Sequence, residues 1–165
     1  MEALKGKNQI LLWRLLKDAA TASGAKLAFQ TEHSVSKSRS TDTTITKDGP
    51  IVTGGGFEEE VPFTCIMAKE DPVVELLNSA IADDEVLELW EVNITDGGEA
   101  GKYPGKYRQG VLSELNETKN AEDLVELEGT FITNGMSKDG EVTLTAEQAE
   151  VVQYAFRDVT PYTEE

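Results

Sequence analysis

The sequence is poor in the residues that build most reactive sites. It has one histidine, His33, and one cysteine, Cys65, among 165 residues. A lone cysteine excludes an intramolecular disulfide, and one residue of each type supplies too few ligands for a zinc site. No acid or base can be placed beside either one, so we expect His33 to be structural and Cys65 to be a small buried hydrophobe. The sequence therefore predicts no enzyme, no metal site and no cofactor.

Positive charge is also scarce. Lysine and arginine number 15 against 31 aspartates and glutamates, which gives a net charge of −16. This balance argues against the basic footprint that proteins use to grip nucleic acid, and it suits a surface that must not hold a polyanion. No apolar run approaches the roughly 20 residues of a membrane span. Arg14, Lys17 and Asp18 interrupt the N-terminal apolar run, so we expect neither a cleaved signal peptide nor a membrane anchor.

One segment, from Asp71 to Asp84, predicts a helix on local signals alone. Asp71 is a good N-cap, and Pro72 suits the first helical position because its missing N–H costs nothing there. Apolar residues recur at helical spacing over about 72–83 and form one stripe, which needs a sheet to cover. These core-packing candidates are Val73, Leu76, Leu77, Ala80 and Ile81.

The rest of the chain reads mainly as strands. Candidate strands, several of them with alternating apolar residues, are Gln9–Leu16, Lys26–Ser36, Phe57–Met67, Val86–Thr95, Tyr107–Glu117, Leu124–Thr133 and Val142–Leu144. Residues 96–106 read as a glycine-rich loop and Asp139-Gly140 as a turn. A capping box at Thr145–Gln148 predicts a brief helix to about Gln153, with a last strand at Tyr154–Val159. We therefore predict a single domain over 1–165 that is mainly β (α+β), a β-sandwich or barrel with one packed helix.

The segment from Ser36 to Gly56 differs from its surroundings. It is rich in Ser, Thr and Gly, poor in apolar residues, and contains the turn sequence Asp48-Gly49-Pro50. A stretch of about twenty such residues is either a flexible linker or a functional projection. Its Thr-rich alternation favours a long loop or hairpin arm over about 36–56 that becomes ordered on a partner.

Several segments, taken in order, resemble the major tail proteins of long, non-contractile-tailed phages of Gram-positive hosts. They are Lys5-Gly-Lys-Asn8, Gly24–His33, Ser36-x-Ser-Arg39-Ser40, Thr46-Lys-Asp-Gly49, Asp71-Pro-Val-Val74 and the closing stretch from Gln153 to Thr160. In that family the protein is a tail-tube subunit, six copies form a ring, and rings stack into the tube through which DNA leaves the capsid. The resemblance implies a β-sandwich with a packed helix, shared with the tube proteins of contractile tails and type VI secretion systems.

The resemblance also implies partners and a location. The partners would be copies of the chain itself and other tail proteins, such as the tape measure, distal tail and terminator proteins. DNA would pass through without specific binding, and no membrane would be involved. The protein would be made in the host cytoplasm and end in the virion tail.

Two sets of residues are candidates for these roles. Glutamates on non-core strand faces would line a lumen that repels DNA, with a solvated outer surface as the alternative for each. These are Glu32, Glu58, Glu60, Glu114, Glu126 and Glu128. The arm is the candidate ring-to-ring contact, which could add strands or hydrogen bonds to a neighbour. Its candidate residues are Arg39, Thr43, Ile45, Lys47, Asp48 and Ile51.

A second function class stays open from the residues. A β-sandwich on a virion or cell surface could instead bind carbohydrate, and such a module needs exposed aromatic side chains clustered in a loop. Tyr103 with Tyr107 is the one pair that could serve.

Overall fold

The computed structural model describes residues 1–95 and 101–149. These contain nine strands in one antiparallel sheet, in the order β2-β1-β6-β7-β8-β5-β3, with β4 also paired to β5 and β9 to β7. The strands are β1 (Gln9–Leu15), β2 (Ala25–Lys26), β3 (Gln30–His33), β4 (Ser36–Thr46), β5 (Gly49–Ile66), β6 (Leu87–Asn93), β7 (Lys102–Thr118), β8 (Glu126–Thr133) and β9 (Lys138–Thr143), and the helices are α1 (Pro72–Ala82) and α2 (Ala146–Ala149). The predicted mainly β fold with one packed helix is confirmed.

The two ends of the sheet meet at the side chain of Gln30. Gln30 begins β3, at one end of the strand order, and reaches β1, which lies near the other end. Its amide donates to the carbonyls of Leu11 and Leu27 at 2.8 and 2.9 Å, and its Oε1 accepts from the Leu11 N–H at 2.9 Å. One side chain thus takes the place of a backbone ladder, so the sheet curls into a barrel whose seam is not closed by a pair of described strands.

The main core fills the inside of this barrel. Trp13 is fully buried, with its ring centroid 4.9 Å from that of Phe63 and 5.8 Å from that of Phe131. Helix α1 packs against β1 and β7, and the Asp71 carboxylate caps it by accepting from the Val73 N–H at 2.9 Å. On α1, Val73, Val74, Leu77 and Ala80 are buried, while Leu76 and Ile81 are half-buried against the core.

A second apolar cluster lies on the opposite face of β1 and β6. Ile10 and Leu12 of β1 and Val92 of β6 are buried there, and Leu144 joins them. The alternate residues of the same strands face the main core. Both faces of β1 are covered, which explains why its sequence is apolar almost throughout instead of alternating.

Three local predictions were wrong. Lys26–Ser36 is not one strand, because the chain breaks before Gln30, where Phe29 adopts a φ of 49° and becomes exposed. Residues 102–106 belong to β7 instead of a loop, and Asp139-Gly140 lies inside β9 instead of a turn. Both errors have one cause, since β7 and β9 pair with each other over these residues.

The capping box at the start of α2 is confirmed. The Thr145 hydroxyl accepts from the Gln148 N–H at 3.2 Å, and the Gln148 side chain accepts from the Thr145 N–H at 3.1 Å. The predicted continuation to Gln153, the last strand at Tyr154–Val159 and residues 96–100 of the glycine-rich loop lie outside the described residues. Among the helices that are described, none is long and apolar enough to cross a membrane.

Candidate functional site

Strands β4 and β5 extend beyond the barrel as a two-stranded hairpin arm. Their pairing runs from Ser36↔Glu60 to Thr46↔Gly49, with Lys47 and Asp48 in the turn. The Thr46 hydroxyl donates to the Gly49 carbonyl at 2.6 Å, and Gly49 has a φ of 121°, which favours glycine. Residues 36–45 and 50–56 are all exposed. Of the two shapes predicted for this segment, the arm takes the hairpin form.

The arm candidates are divided between the two faces of the hairpin. Thr43 lies opposite Val52, and Ile45 lies opposite Pro50, so these four side chains share one face. Ile51 pairs with Thr44 and lies on the other face. Ile45 is 78% exposed and Val52 65% exposed, which is unusual for large apolar side chains in a folded arm.

Arg39 lies nearer the base of the arm. Its guanidinium donates to the Gly55 carbonyl at 2.8 Å and lies 5.5 Å from the centroid of the Phe57 ring. These contacts are within the arm, where β4 and β5 shift register between Arg39 and Thr41. Arg39 therefore supports the hairpin at an irregular point of its ladder.

The six candidate glutamates lie on one face of the sheet. Glu32 and Glu128 both lie opposite Thr64 of β5, one from each side, and Glu114 of β7 lies opposite Thr130 of β8. Because side chains alternate along a strand, these positions point away from the barrel core. Glu58, Glu60 and Glu126 have the same orientation on β5 and β8. We call this surface, across β3, β5, β8 and the second half of β7, the acidic face.

No cation neutralises the acidic face within the described chain. None of its six glutamates forms an ion pair there, and the Thr130 hydroxyl, which donates to Glu114 at 3.1 Å, is a neutral partner. No lysine or arginine occupies an outward position on these strands over the same stretch. A contiguous surface of one sign produces a negative potential that extends into the adjacent solvent.

A buried charged cluster, which the sequence reasoning missed, lies where the arm joins the barrel. Glu59 and Arg108 are both fully buried, and Arg108 Nε donates to Glu59 Oε1 at 2.8 Å. Arg108 Nη2 lies 3.6 Å from Glu91 Oε1, and His33 Nε2 lies 2.7 Å from Glu91 Oε2. The Ser137 N–H donates to Glu59 Oε2 at 3.1 Å. The sequence contains a signal for this position, because Glu59 lies two residues from Phe57 and two from Val61 and therefore shares their core-facing side of the strand.

The environment of this cluster keeps both carboxyl groups ionised. Burial alone would raise the pKa of Glu59, but the hydrogen bonds from Arg108 and from the Ser137 backbone lower the pKa below its ordinary value. Burial acts in the same direction on Glu91, and the partners His33 and Arg108 lower the pKa of that carboxyl. Glu59 belongs to β5 and His33 ends β3, so the cluster ties both roots of the arm to the barrel.

The described residues hold no arrangement that suggests chemistry. Burial raises the pKa of the Cys65 thiol to about 11, which leaves it protonated and unreactive. No group of three or more histidine, cysteine, aspartate or glutamate residues in that part of the chain could hold a metal ion. Tyr103 and Tyr107 are half-buried, and Tyr107 packs against Trp90 at 5.4 Å between ring centroids. They do not form the exposed aromatic pair that a carbohydrate site would need.

The same fold occurs in solved tubes. The structure of the SPP1 tail tube matches with a TM-score of 0.81 at 17% identity, over 99% of this chain and 96% of that one. The tail of a gene transfer agent particle, determined with C6 symmetry, matches with a TM-score of 0.65 at 15% identity, over 82% of this chain and 98% of that one. A barrel with a packed helix and a projecting hairpin is thus a fold shared with the SPP1 tail tube and the gene transfer agent tail.

Sequence comparison narrows this class to a family. A protein assigned to the tail of Staphylococcus phage phiMR25 is 30% identical over 167 residues, which cover 97% of this chain and 86% of that protein. The sequence model of the phage tail tube protein family matches residues 3–158. The chain belongs to the phage tail tube protein family and is a structural subunit of the virion tail.

Proposed function

We propose that six copies of this chain form a ring, that rings stack into the tail tube, and that the acidic face lines its channel. The observation that carries the proposal is the acidic face itself, where six glutamates share one surface and pair with no cation of the described chain. The six-fold symmetry of the gene transfer agent tail, which has the same fold, supports the ring size. The whole chain, 1–165, acts in this as one domain that is not an enzyme.

The charge of the subunit suits a channel for DNA. Each chain carries −16, and a ring of six carries six times that charge. Duplex DNA carries one negative charge per roughly 1.7 Å of helix axis, so a lining of the same sign repels the phosphates. DNA then passes through without specific binding. The tape measure, distal tail and terminator proteins would contact the inside and the ends of such a tube, after synthesis of the subunit in the host cytoplasm.

The arm supplies a means of joining one ring to the next. β4 pairs with β5 alone, and the Gly49–Glu59 edge of β5 facing away from β4 pairs with no described strand. Unpaired strand edges are ready to add a strand from another chain. A projecting hairpin with two such edges and an apolar tip is therefore suited to contact a neighbouring subunit.

The channel lining can be tested by reversing its charge. Tubes of the variant E58K/E60K/E128K, assembled with short duplex DNA, should retain DNA that nuclease cannot reach, while wild-type tubes should retain none. The matched control E2K/E75K/D83K changes the same total charge at exposed positions outside the acidic face. If both variants protect DNA equally, or if neither variant protects it, the acidic lining is rejected.

The role of the arm can be tested by removing it. A variant lacking Arg39–Ile51 should keep the circular dichroism spectrum and the thermal unfolding of the barrel, because none of the deleted residues is buried and all lie outside the core. It should fail to form tubes in electron micrographs. Normal tubes from this variant would refute the arm as the contact between rings.

A further inference from the structure

We infer that the end of β5 farthest from the arm carries a docking surface for the arm tip of a second copy of this chain. The inference rests on the proposal that the arm joins rings, and it identifies what the tip binds. Among the exposed large hydrophobic residues of the described chain, the arm ends in Ile45 and Val52 on one face and Ile51 on the other, whereas Phe29 and Leu124 flank the opposite end of β5. We call the face with Ile45 and Val52 the tip, and the surface around Phe29 and Leu124 the socket.

The socket is built around the last residues of β5, with one exposed apolar side chain on either side of the strand. The Ile66 N–H donates to the Phe29 carbonyl at 3.0 Å, and the Met67 N–H donates to the Val125 carbonyl at 2.9 Å. Phe29 and Leu124 therefore lie on either side of β5, and they are 48% and 72% exposed. An open cavity of about 380 Å³ lies where β5 and β7 end and β8 begins, and it is lined by Ile66, Thr118, Asn120, Asp123, Leu124 and Glu126.

The position of the two surfaces on one strand excludes contact within a subunit. Ile51 and Ile66 are fifteen residues apart on β5, and a strand rises about 3.3 Å per residue, so roughly 50 Å separates tip from socket. A contact between tip and socket therefore requires a second copy of the chain. A contact between different surfaces of identical subunits repeats without limit when it does not close, which is how a stack of rings grows.

The chemistry of the two surfaces is complementary. Ile45, Pro50 and Val52 form one apolar face of the hairpin tip, which can bury Leu124 and Phe29. Lys47 in the turn can approach the carboxylate of Asp123 that lines the cavity, although the neighbouring Asp48 reduces this attraction. The apolar contact therefore provides most of the binding, and Lys47 orients it.

A disulfide between tip and socket tests the contact directly. In the variant I45C/L124C, oxidation of assembled tubes should give a ladder of dimers, trimers and longer species on a non-reducing gel. The native Cys65 is fully buried and adds little background. The control I45C/V86C pairs the tip with an exposed residue outside the socket and should stay mostly monomeric. A ladder that is no stronger than the control would overturn the inference.

Charge insertion separates failure of this inference from failure of the proposed function. Both I45K and L124K should raise the concentration at which tubes form by about tenfold or more, the factor expected from losing one buried apolar contact, while V86K should not. If I45K blocks assembly and L124K does not, the arm joins rings but the socket is wrong. If neither variant affects assembly, both proposals fail. Unchanged thermal unfolding of each monomer shows that the substitutions act on assembly.

Discussion

At the scale of single residues, the pair formed by Glu59 and Arg108 fixes how the arm leaves the barrel. A buried guanidinium is costly unless carboxylates surround it, and here Glu59 and Glu91 supply them. Alternation along β5 already places Glu59, of the three consecutive glutamates, on the core face. Its partner could not be read from the sequence, because Arg108 is distant along the chain and reaches Glu59 only after β7 and β5 join the same barrel.

Glu59→Gln tests the importance of this pair. The substitution leaves the buried Arg108 without its closest carboxylate, and removing one partner of a buried ion pair costs about 3–5 kcal/mol. The expected result is a loss of this size in the free energy of unfolding, measured with urea at neutral pH and a protein concentration too low for assembly. The neighbouring exposed residue provides the control, since Glu58→Gln should change stability by less than about 0.5 kcal/mol. Equal stabilities of the two variants would contradict the assignment.

The lowered pKa of Glu59 also predicts how the free energy of unfolding responds to acid. Because the folded protein lowers the pKa of Glu59 and Glu91, the unfolded chain binds more protons in acid. Their contribution to stability is therefore present above the unfolded pKa, about 4.3, and is lost as the pH falls through the lower folded values. We expect the free energy of unfolding to fall from pH 6 to pH 3 less steeply in Glu59→Gln than in the wild type. Parallel curves would show that Glu59 does not take part.

At the scale of elements, local signals predicted α1 and non-local contacts decided the strands that were missed. The cap, the proline and the apolar stripe of α1 all lie within one stretch of chain, and the helix begins at Pro72 as predicted. The break before β3 depends on Phe29 turning outward, and the strand at Asp139-Gly140 depends on pairing with β7. Neither the outward turn of Phe29 nor the pairing with β7 is visible in the neighbouring sequence. The local patterns therefore predicted one strand in the first case and a turn in the second.

Gly110 is the point at which β7 changes partners. It lies opposite Leu87 of β6 and Thr133 of β8, so two strands approach it at once. A Cβ at this position would lie 1.9 Å from the Ile132 carbonyl oxygen, which belongs to the backbone and cannot move aside cheaply. We expect Gly110→Ala to destabilise the barrel by about 1–3 kcal/mol, visible as a lower thermal unfolding midpoint. Gly140→Ala, also in a strand but with no atom within 4 Å, should leave the midpoint nearly unchanged or raise it.

At the scale of the whole molecule, charge and shape carry different information. The net charge of −16 is readable from composition, and alternation along the strands was enough to select the six glutamates of the acidic face. Their meeting on one surface required the register of β3, β5, β8 and β7. In the proposed assembly, one subunit joins the next through surfaces at both ends of β5, and the sequence indicated only the arm.

Assembly should therefore depend on salt in a way that separates the acidic face from net charge. Like-charged subunits repel over a Debye length of about 30 Å at 0.01 M salt and about 10 Å at 0.1 M, so added salt should lower the concentration at which tubes sediment. If the glutamates of neighbouring subunits face one channel, E58K/E60K/E128K should flatten this dependence more than E2K/E75K/D83K, which changes the total charge equally. Equal flattening would assign the repulsion to net charge alone, and a threshold that rises with salt would show that attraction between charges holds the subunits together.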